Sequence, residues 1–175
     1  IRVQSVKYSI ENNDIGYIRI SSFTEQTQEG LEKAMEHFRT TLGDKLKGYI
    51  IDLRNDPGGL LDMAISVSDT FLDKGEIVST RGRHADETQR FNATKGDLAG
   101  GKPVVVLING SSASAAEIVA GALQDHGRTD RIAGAVTQDR HQLHATPTTT
   151  NRNNQRAHRA TLCPLHNEHQ VVSMQ

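Results

Sequence analysis

Two segments of the sequence share one order of elements: an apolar strand, a turn rich in small residues, and an amphipathic helix. Residues 49–53 lead into the turn RNDPGG, and residues 103–108 lead into the turn NGSSAS. A continuous apolar strand is typical of a parallel sheet that is covered on both faces. Since parallel strands end at one edge of the sheet, where α/β proteins usually bind ligands, we expect the two turns to lie side by side.

The rest of the chain up to about residue 135 also alternates between strand and helix patterns. This alternation predicts a layered α/β fold with much parallel pairing. The predicted strands are residues 16–21, 49–53, 76–80, 104–108 and 131–136, the predicted helices are residues 25–42, 60–72 and 114–124, and residues 81–101 are predicted to form a polar loop.

Composition excludes several classes of protein. A chain of 175 residues has the size of one domain. The net charge of −1 argues against a general electrostatic attraction to nucleic acid or to an anionic membrane. A single cysteine, Cys163, rules out an internal disulfide framework, and no apolar run approaches the length of a membrane span. Because the sequence starts at Ile1 without a signal-like leader, we expect a fragment whose targeting sequence lies outside it.

The sequence changes character after about residue 135. The last lysine is Lys102 and the last aromatic residue is Phe91, so residues 136–175 contain neither type, whereas five of the eight histidines lie between His141 and His169. We therefore divide the chain into a folded core at residues 1–135 and a poorly patterned tail at residues 136–175. Spacings similar to those of metal ligands occur in the tail at His141-x-x-His144, His158 and Cys163-x-x-His166-x-x-His169. A zinc module would use tighter paired motifs, so unpatterned polar sequence is the preferred interpretation, and we predict neither metal nor cofactor.

The turn NGSSAS raises two interpretations of its serines. A small-residue turn lets the backbone approach a ligand closely and leaves a serine near the free N–H groups of a helix start. This arrangement suits a nucleophile beside an oxyanion hole. It also suits a plain N-cap, for which serine is a leading residue. Gly58 and Gly59, on the other turn, would alone indicate an ordinary strand-to-helix turn, but the pairing of the two turns favours the functional interpretation.

These segments resemble the C-terminal processing (tail-specific) serine peptidases. The matching stretches are GYIRISSF, KLKGYIIDLRNDPGGLLDMAISVSDTFLDKGEIVSTRGR and KPVVVLINGSSASAAEIVAGALQDHGR, between about Ile15 and Arg128. The family pattern is nearer GSASASE, so Ser112 and Ala116 are small departures. The resemblance implies the β/α core of crotonase-like and Clp-type proteins. It also implies a preceding PDZ domain that recognises substrate tails, which this sequence does not contain.

The resemblance further implies a serine endopeptidase that hydrolyses peptide bonds through an acyl-enzyme, without metal or organic cofactor. The family's nucleophile falls on Ser114. Its oxyanion hole falls on the backbone N–H of Ala115, together with that of Gly58 or Gly59. Polypeptides, cut near their C-terminal regions, would be the substrates, and the periplasm or cell envelope the location; the oligomeric state is left open.

Two acidic residues of the following helix, Glu117 and Asp125, match polar positions near the family's site. We expect them to support structure or orientation without transferring protons. The alternative, that both are solvated charges on an exposed helix face, stays open.

The family's general base is a lysine in a TFGKG-type segment. Aligning Gly134 and Thr137 with that segment gives GAVTQDRH, in which Arg140 stands at the position of the lysine. A lysine can act as a base because burial lowers its pKa, whereas arginine stays protonated in proteins. We therefore expect this chain to have lost most of the family's catalytic power.

Two further hypotheses follow from the missing lysine. A histidine could replace it, and His126, His141 and His144 are candidates, although nothing in the sequence places one against Ser114. Alternatively, the chain is a catalytically inactive peptidase-like module that binds polypeptide segments by strand addition.

The abrupt change of pattern near residues 128–134 predicts that the tail is translated out of register, by a frameshift in the gene or in its sequencing. The rival is genuine divergence with a disordered tail. Reading the coding DNA for residues 126–175 in all three frames is expected to reveal a Phe-Gly-Lys-Gly segment followed by strand-like sequence. The absence of any such segment from all frames would leave divergence as the explanation.

Overall fold

A computed structural model describes residues 4–81, 89–133, 160–161 and 171–174 of the chain. It contains three helices and nine strands within those residues. In chain order they are β1 (Val6–Glu11), β2 (Ile15–Ile20), α1 (Thr27–Leu42), a 3₁₀ turn (Gly43–Lys45), β3 (Gly48–Asp52), α2 (Leu61–Asp69), β4 (Glu76–Arg81), β5 (Gln89–Asn92), β6 (Val104–Leu107), α3 (Ala115–Asp125), β7 (Thr129–Ala133), β8 (Ala160–Thr161) and β9 (Val171–Met174).

The main sheet has the strand order β1-β2-β3-β6-β7. Strand β1 runs antiparallel to β2, and the pairings of β2 with β3, β3 with β6, and β6 with β7 are parallel. Asp52, at the end of β3, lies opposite Leu107, at the end of β6, so these two strands end together. The predicted α/β fold with parallel pairing is confirmed.

The helices contribute apolar faces to one core. Helix α1 buries Leu31, Ala34, Met35 and Phe38, which recur at the spacing of one helix face. The ring of Phe38 lies 6.2 Å from that of Tyr49 on β3, which lies 6.5 Å from that of Phe71 after α2. These three rings link α1, β3 and the segment that follows α2. The largest fully buried side chains also include Phe23, Ile18, Ile20, Leu46, Ile51, Leu53, Ile77 and Leu123.

The second sheet, with the order β5-β4-β9-β8, corrects the prediction of a polar loop at residues 81–101. Strand β5 lies within that range and pairs antiparallel with β4. Its four side chains are exposed or half-buried, so the sequence carries no apolar alternation to mark it. The short strands β8 and β9 belong to the predicted tail, and β9 pairs with β4. The division of the chain at residue 135 stays a prediction.

Strand β1 was not predicted either, because most of its side chains are exposed. It forms a hairpin with β2 through a turn in which Asn12 and Asn13 both have positive φ. Asparagine tolerates this conformation, so the Asn-Asn-Asp stretch was the available signal. The last strand of the main sheet, β7, begins two residues before the predicted start at residue 131.

A buried carboxylate joins β2, β3 and the turn after β3. Asp52 is fully buried and accepts hydrogen bonds from the Tyr17 hydroxyl at 2.5 Å and from Arg19 Nη1 at 2.9 Å. It also accepts from Arg54 Nε at 2.9 Å, Nη2 at 2.7 Å and the backbone N–H at 3.0 Å. Burial alone would raise the pKa of the Asp52 carboxyl, but the hydrogen bonds from Arg54 and Tyr17 outweigh it and hold that pKa well below its usual range.

Replacing Asp52 tests this arrangement. Asp52→Asn removes the charge shared by two arginines and is expected to lower the free energy of unfolding at pH 7 by about 3–5 kcal/mol. The matched control is Asp14→Asn, which breaks an exposed pair with Lys47 and is expected to cost at most about 1 kcal/mol. Urea unfolding of both variants measures the difference.

The pH dependence of the same measurement has a definite sign. Because the folded-state pKa of Asp52 is lowered, its stabilising contribution is present above the unfolded pKa and is lost as pH falls below about 4. The difference in the free energy of unfolding between wild type and Asp52→Asn should therefore become smaller in acid. Equal costs for the two substitutions at pH 7 would contradict a structural role for the buried carboxylate.

Candidate active site

The two turns that follow β3 and β6 lie side by side, as the sequence predicted. Asn55 and Asn109 bond each other reciprocally: the backbone N–H of Asn55 donates to Asn109 Oδ1 at 2.9 Å, and Asn109 Nδ2 donates to Asn55 Oδ1 at 2.8 Å. The Ser112 hydroxyl donates to the carbonyl of Leu53 at 2.8 Å. Three hydrogen bonds involving side chains therefore fix one turn against the other.

Asp56 makes one further hydrogen bond between the two turns and one within its own turn. Its backbone carbonyl accepts a hydrogen bond from the N–H of Ala113 at 3.0 Å, across the gap between the turns. Its carboxylate Oδ1 accepts from the N–H of Gly58 at 2.7 Å, within its own turn. Asp56 thus bonds to the residue that precedes Ser114 in the facing turn and to the first glycine of its own turn.

Ser114 is the N-cap of α3 and is exposed to solvent. Its backbone has φ +53° and ψ −115°, a conformation that L-residues other than glycine rarely adopt. Such strain persists only where the surroundings impose it, and it is concentrated at functional sites. A sharp strand-to-helix turn of this kind presents a serine hydroxyl at the edge of the sheet.

Glu117 holds Ser114 in place from the first turn of α3. Its Oε2 accepts a hydrogen bond from the Ser114 N–H at 2.8 Å, and the Ser114 carbonyl accepts from the N–H groups of Glu117 and Ile118. Glu117 is also half-buried. A contact with the backbone of Ser114 fits the orienting role expected for Glu117 and does not fit a freely solvated charge.

The backbone N–H groups around Ser114 differ in their availability. The N–H of Gly58 is taken by Asp56, as described above. The N–H groups of Ala115 and Gly59 donate no hydrogen bond within residues 4–81 and 89–133. Gly59 is exposed, whereas Gly58 is buried. Of the two glycines that the sequence left as alternatives, Gly59 is the one with an unoccupied donor.

Gly58 is needed for space. It has φ +97°, and a Cβ placed on it would lie 2.8 Å from Ser114 Cβ and 2.9 Å from the nitrogen of Ala115. Any side chain at this position would fill the space beside the Ala115 N–H. The carbonyl of Gly58 accepts a hydrogen bond from Phe23 N–H at 2.9 Å, which anchors the glycine turn to the segment after β2.

The electrostatic state of Asp56 is unusual. Its side chain is fully buried, and its Oδ2 has no hydrogen-bond partner among the residues described. Burial raises the pKa of the Asp56 carboxyl to about 6, against the opposing effect of the Gly58 N–H and of the nearby Arg19 charge. Because the folded-state pKa is raised, the carboxyl increasingly destabilises the fold as pH rises from about 4 to about 6. The residue is therefore held buried and charged at neutral pH at a cost in stability.

Sequence reasoning did not single out Asn55, Asp56 or Asn109 as site residues. They were part of turns in which Asn and Asp are common for local reasons, so their identity carried no further information. Their mutual contacts arise only when the two turns meet.

The far end of α3 carries two other candidates. Asp125 and His126 follow Ser114 by eleven and twelve residues, which corresponds to about 16–18 Å along a helix axis. His126 Nε2 lies 2.7 Å from the carbonyl oxygen of Glu76, at the start of β4. The hypothesis that His126 replaces the lysine base is therefore wrong, and Asp125 does not lie beside Ser114. Arg140, His141 and His144 lie outside the described residues, as do the tail's other histidines and Cys163.

In the described ranges, no group of three or more His, Cys, Asp or Glu side chains is placed to hold a metal ion. None of the helices α1, α2 and α3, which are the helices found in the described part of the chain, has the length and apolarity needed to cross a membrane.

Comparison with known proteins supports a peptidase fold. Residues 14–156 match peptidase family S41, so the match continues past Arg128. Over 74% of the chain, the structure resembles a photosystem II D1 C-terminal processing protease at 24% identity with a TM-score of 0.63, covering 36% of that protein. It also resembles mature CPAF complexed with lactacystin at 14% identity with a TM-score of 0.54, covering 71% of this chain and 39% of that one. At these identities the likeness shows the fold alone.

Sequence relatives are more similar. A carboxy-terminal-processing protease of Bartonella bacilliformis is 60% identical over 133 residues, which make up 75% of this chain and 30% of the relative. The carboxy-terminal processing protease CtpA of Bacillus subtilis is 38% identical over 132 residues, which make up 75% of this chain and 28% of the relative. The chain spans less than a third of the length of either relative. On the family match and these identities, the chain belongs to peptidase family S41, a family of serine peptidases.

Proposed function

We propose that the chain forms part of the catalytic core of a C-terminal processing serine endopeptidase, with Ser114 as its nucleophile. The observation that carries the proposal is an exposed serine in a strained helix-cap conformation, near the backbone N–H groups of Ala115 and Gly59, which have no acceptor among the described residues. The names of the two relatives support polypeptides, cut near their C-terminal regions, as the substrates. The proposed location, the periplasm or cell envelope, rests on the family resemblance alone.

In the proposed reaction the Ser114 hydroxyl attacks the carbonyl carbon of the peptide bond, and the carbonyl oxygen becomes an oxyanion. The N–H groups of Ala115 and Gly59 donate hydrogen bonds to that oxygen, which stabilises the charge as it develops. Loss of one such donor from an oxyanion hole typically lowers kcat by about 10²–10³-fold. Collapse of the tetrahedral intermediate breaks the C–N bond, and the nitrogen leaves as an amine with the proton that the Ser114 hydroxyl gave up. Water then hydrolyses the acyl-enzyme to a carboxylic acid and free Ser114.

The residue at the position of the family's general base is not suited to accept the Ser114 proton. Arg140 occupies the lysine position in the sequence alignment, and a guanidinium stays protonated. We therefore propose that this polypeptide keeps the oxyanion hole but hydrolyses peptides poorly, and acts mainly as an inactive module that binds polypeptide segments. Glu117 acts in support by holding the Ser114 backbone, whereas the position of Asp125 at the far end of α3 gives it no contact with Ser114.

A peptide boronic acid tests the nucleophile without depending on a strong base. Boron forms a tetrahedral adduct with an accessible serine oxygen, and the adduct places a charged oxygen in the oxyanion hole. We expect ¹¹B NMR to show a tetrahedral signal with the wild-type chain and none with Ser114→Ala. Ser111→Ala, which changes an exposed serine of the same turn, is the matched control and should keep the signal.

Peptide hydrolysis by the same proteins separates the two functions. We expect the wild-type chain to form the adduct yet to hydrolyse peptides little faster than Ser114→Ala. Hydrolysis well above that background would show a working base and would refute the inactive module. An adduct that persists in Ser114→Ala would refute Ser114 as the nucleophile.

Gly58→Ala tests the space beside the oxyanion hole. The added methyl group would lie 2.9 Å from the nitrogen of Ala115, so we expect boronate affinity to fall by about 10²-fold or more. Gly101→Ala is the control, because Gly101 also has positive φ, +75°, but has open space around its missing side chain. Gly101→Ala should show the cost of backbone strain in urea unfolding while keeping the affinity for the boronate. Equal affinities for both variants would place the oxyanion hole elsewhere.

A further inference from the structure

The buried carboxylate of Asp56, in the turn that faces Ser114, has no role in the proposed reaction. Asp56 is fully buried, its carboxylate bonds to a backbone N–H at 2.7 Å, and its second oxygen has no partner among the described residues. Leaving a buried charged oxygen without a partner is costly. A buried carboxylate with a perturbed environment beside a reactive serine is a functional candidate on physical grounds.

The glycine turn needs a constraint because its two residues can rotate freely. Gly58 has φ +97° and Gly59 has φ +147°, values that glycine adopts without steric penalty. The peptide unit between them could therefore turn over at little intrinsic cost. A reversed unit would point a carbonyl oxygen, in place of the Gly59 N–H, at the developing oxyanion.

Two hydrogen bonds hold the observed orientation. The carbonyl of Gly58 accepts from Phe23 N–H at 2.9 Å. Because the N–H and C=O of a trans peptide point in opposite directions, this bond directs the Gly59 N–H away from Phe23. The N–H of Gly58, on the preceding peptide unit, is held by Asp56 Oδ1. Both peptide units of the turn are thus fixed, one by Phe23 and the other by Asp56.

Asp56 also links the two turns that carry the proposed oxyanion donors, the N–H groups of Gly59 and Ala115. Its backbone carbonyl accepts from the N–H of Ala113, the residue before Ser114. Movement of Asp56 would therefore displace the glycine turn relative to the serine turn. We propose that Asp56 is a positioning residue that orients the Gly59 N–H as an oxyanion donor, through its hydrogen bonds to Gly58 and Ala113. This inference rests on the proposed function of Ser114.

The test compares two ligands of the full chain: the peptide boronic acid, which engages the oxyanion hole, and the same peptide ending in a carboxamide, which does not react. Asp56→Ala removes the acceptor for Gly58. We expect it to weaken boronate binding by about 10²–10³-fold, as for loss of an oxyanion donor. Carboxamide binding should stay within about threefold, since the Asp56 side chain is fully buried and offers no surface to a bound peptide.

Asp56→Asn is the matched variant, because its amide oxygen can still accept the Gly58 N–H without a charge. It should bind the boronate within about tenfold of wild type, since the hydrogen bond is weakened and not lost. Asp56→Leu, which keeps the branching of the aspartate side chain but has no acceptor, replaces Asp56→Ala if the alanine variant does not fold. Asp56→Leu should also weaken boronate binding by about 10²–10³-fold and leave carboxamide binding within about threefold.

Each outcome decides between the inference and the function on which it rests. No Ser114 adduct in the wild-type chain would refute the proposed function. A wild-type adduct with unchanged boronate affinity in Asp56→Ala or Asp56→Leu would overturn only the role of Asp56. Equal weakening of the boronate and the carboxamide would indicate a purely structural residue and would also overturn it. Asp56→Asn as weak as Asp56→Ala would exclude the hydrogen bond as the cause.

Discussion

Parallel pairing of β3 with β6 is the constraint on which the candidate site depends. The pairing register places Asp52 opposite Leu107, so both strands end at the same level. One more backbone hydrogen bond joins the two strands before the turns begin: the Leu53 N–H donates to the Leu107 carbonyl at 2.8 Å. Since side chains alternate along a strand, a slip of one residue would reverse every side chain of β6 and separate the turns.

Two buried aspartates near the end of β3 differ in the hydrogen-bond partners of their carboxylates and in the direction of their pKa shifts. Asp52 is surrounded by Tyr17, Arg19 and Arg54, and these donors more than compensate for its burial. Asp56, four residues later, is equally buried but receives one hydrogen bond on its carboxylate, and its pKa rises to about 6. The fully paired carboxylate of Asp52 stabilises the fold, whereas the incompletely paired carboxylate of Asp56 lies in the turn that faces Ser114. The difference lies in the partners and not in the residue type.

Much of the fold followed from periodicity. Helix α1 was predicted because apolar residues such as Leu31, Met35 and Phe38 return at the period of one helix face, and all three are buried. Strands β3 and β6 were predicted because both are continuous apolar runs. Strands β1 and β5 were not predicted, because their side chains are largely exposed and show no apolar alternation. Their backbones are stabilised by pairing with β2 and β4, and the sequence pattern does not indicate that pairing.

The sequence by itself determined the order of elements, the two small-residue turns and the serine that ends the second turn. It left the choice between an N-cap and a nucleophile open, and it could not separate Gly58 from Gly59. Tertiary structure separated the two glycines for the described residues, because the N–H of Gly58 is taken by Asp56 and that of Gly59 is not. Ser114 is the N-cap of α3, and its role as the nucleophile stays a proposal. The donors in question are backbone N–H groups, which every residue except proline carries. Which of them is occupied depends on contacts across the gap between the turns, and such contacts exist only after β3 and β6 have paired.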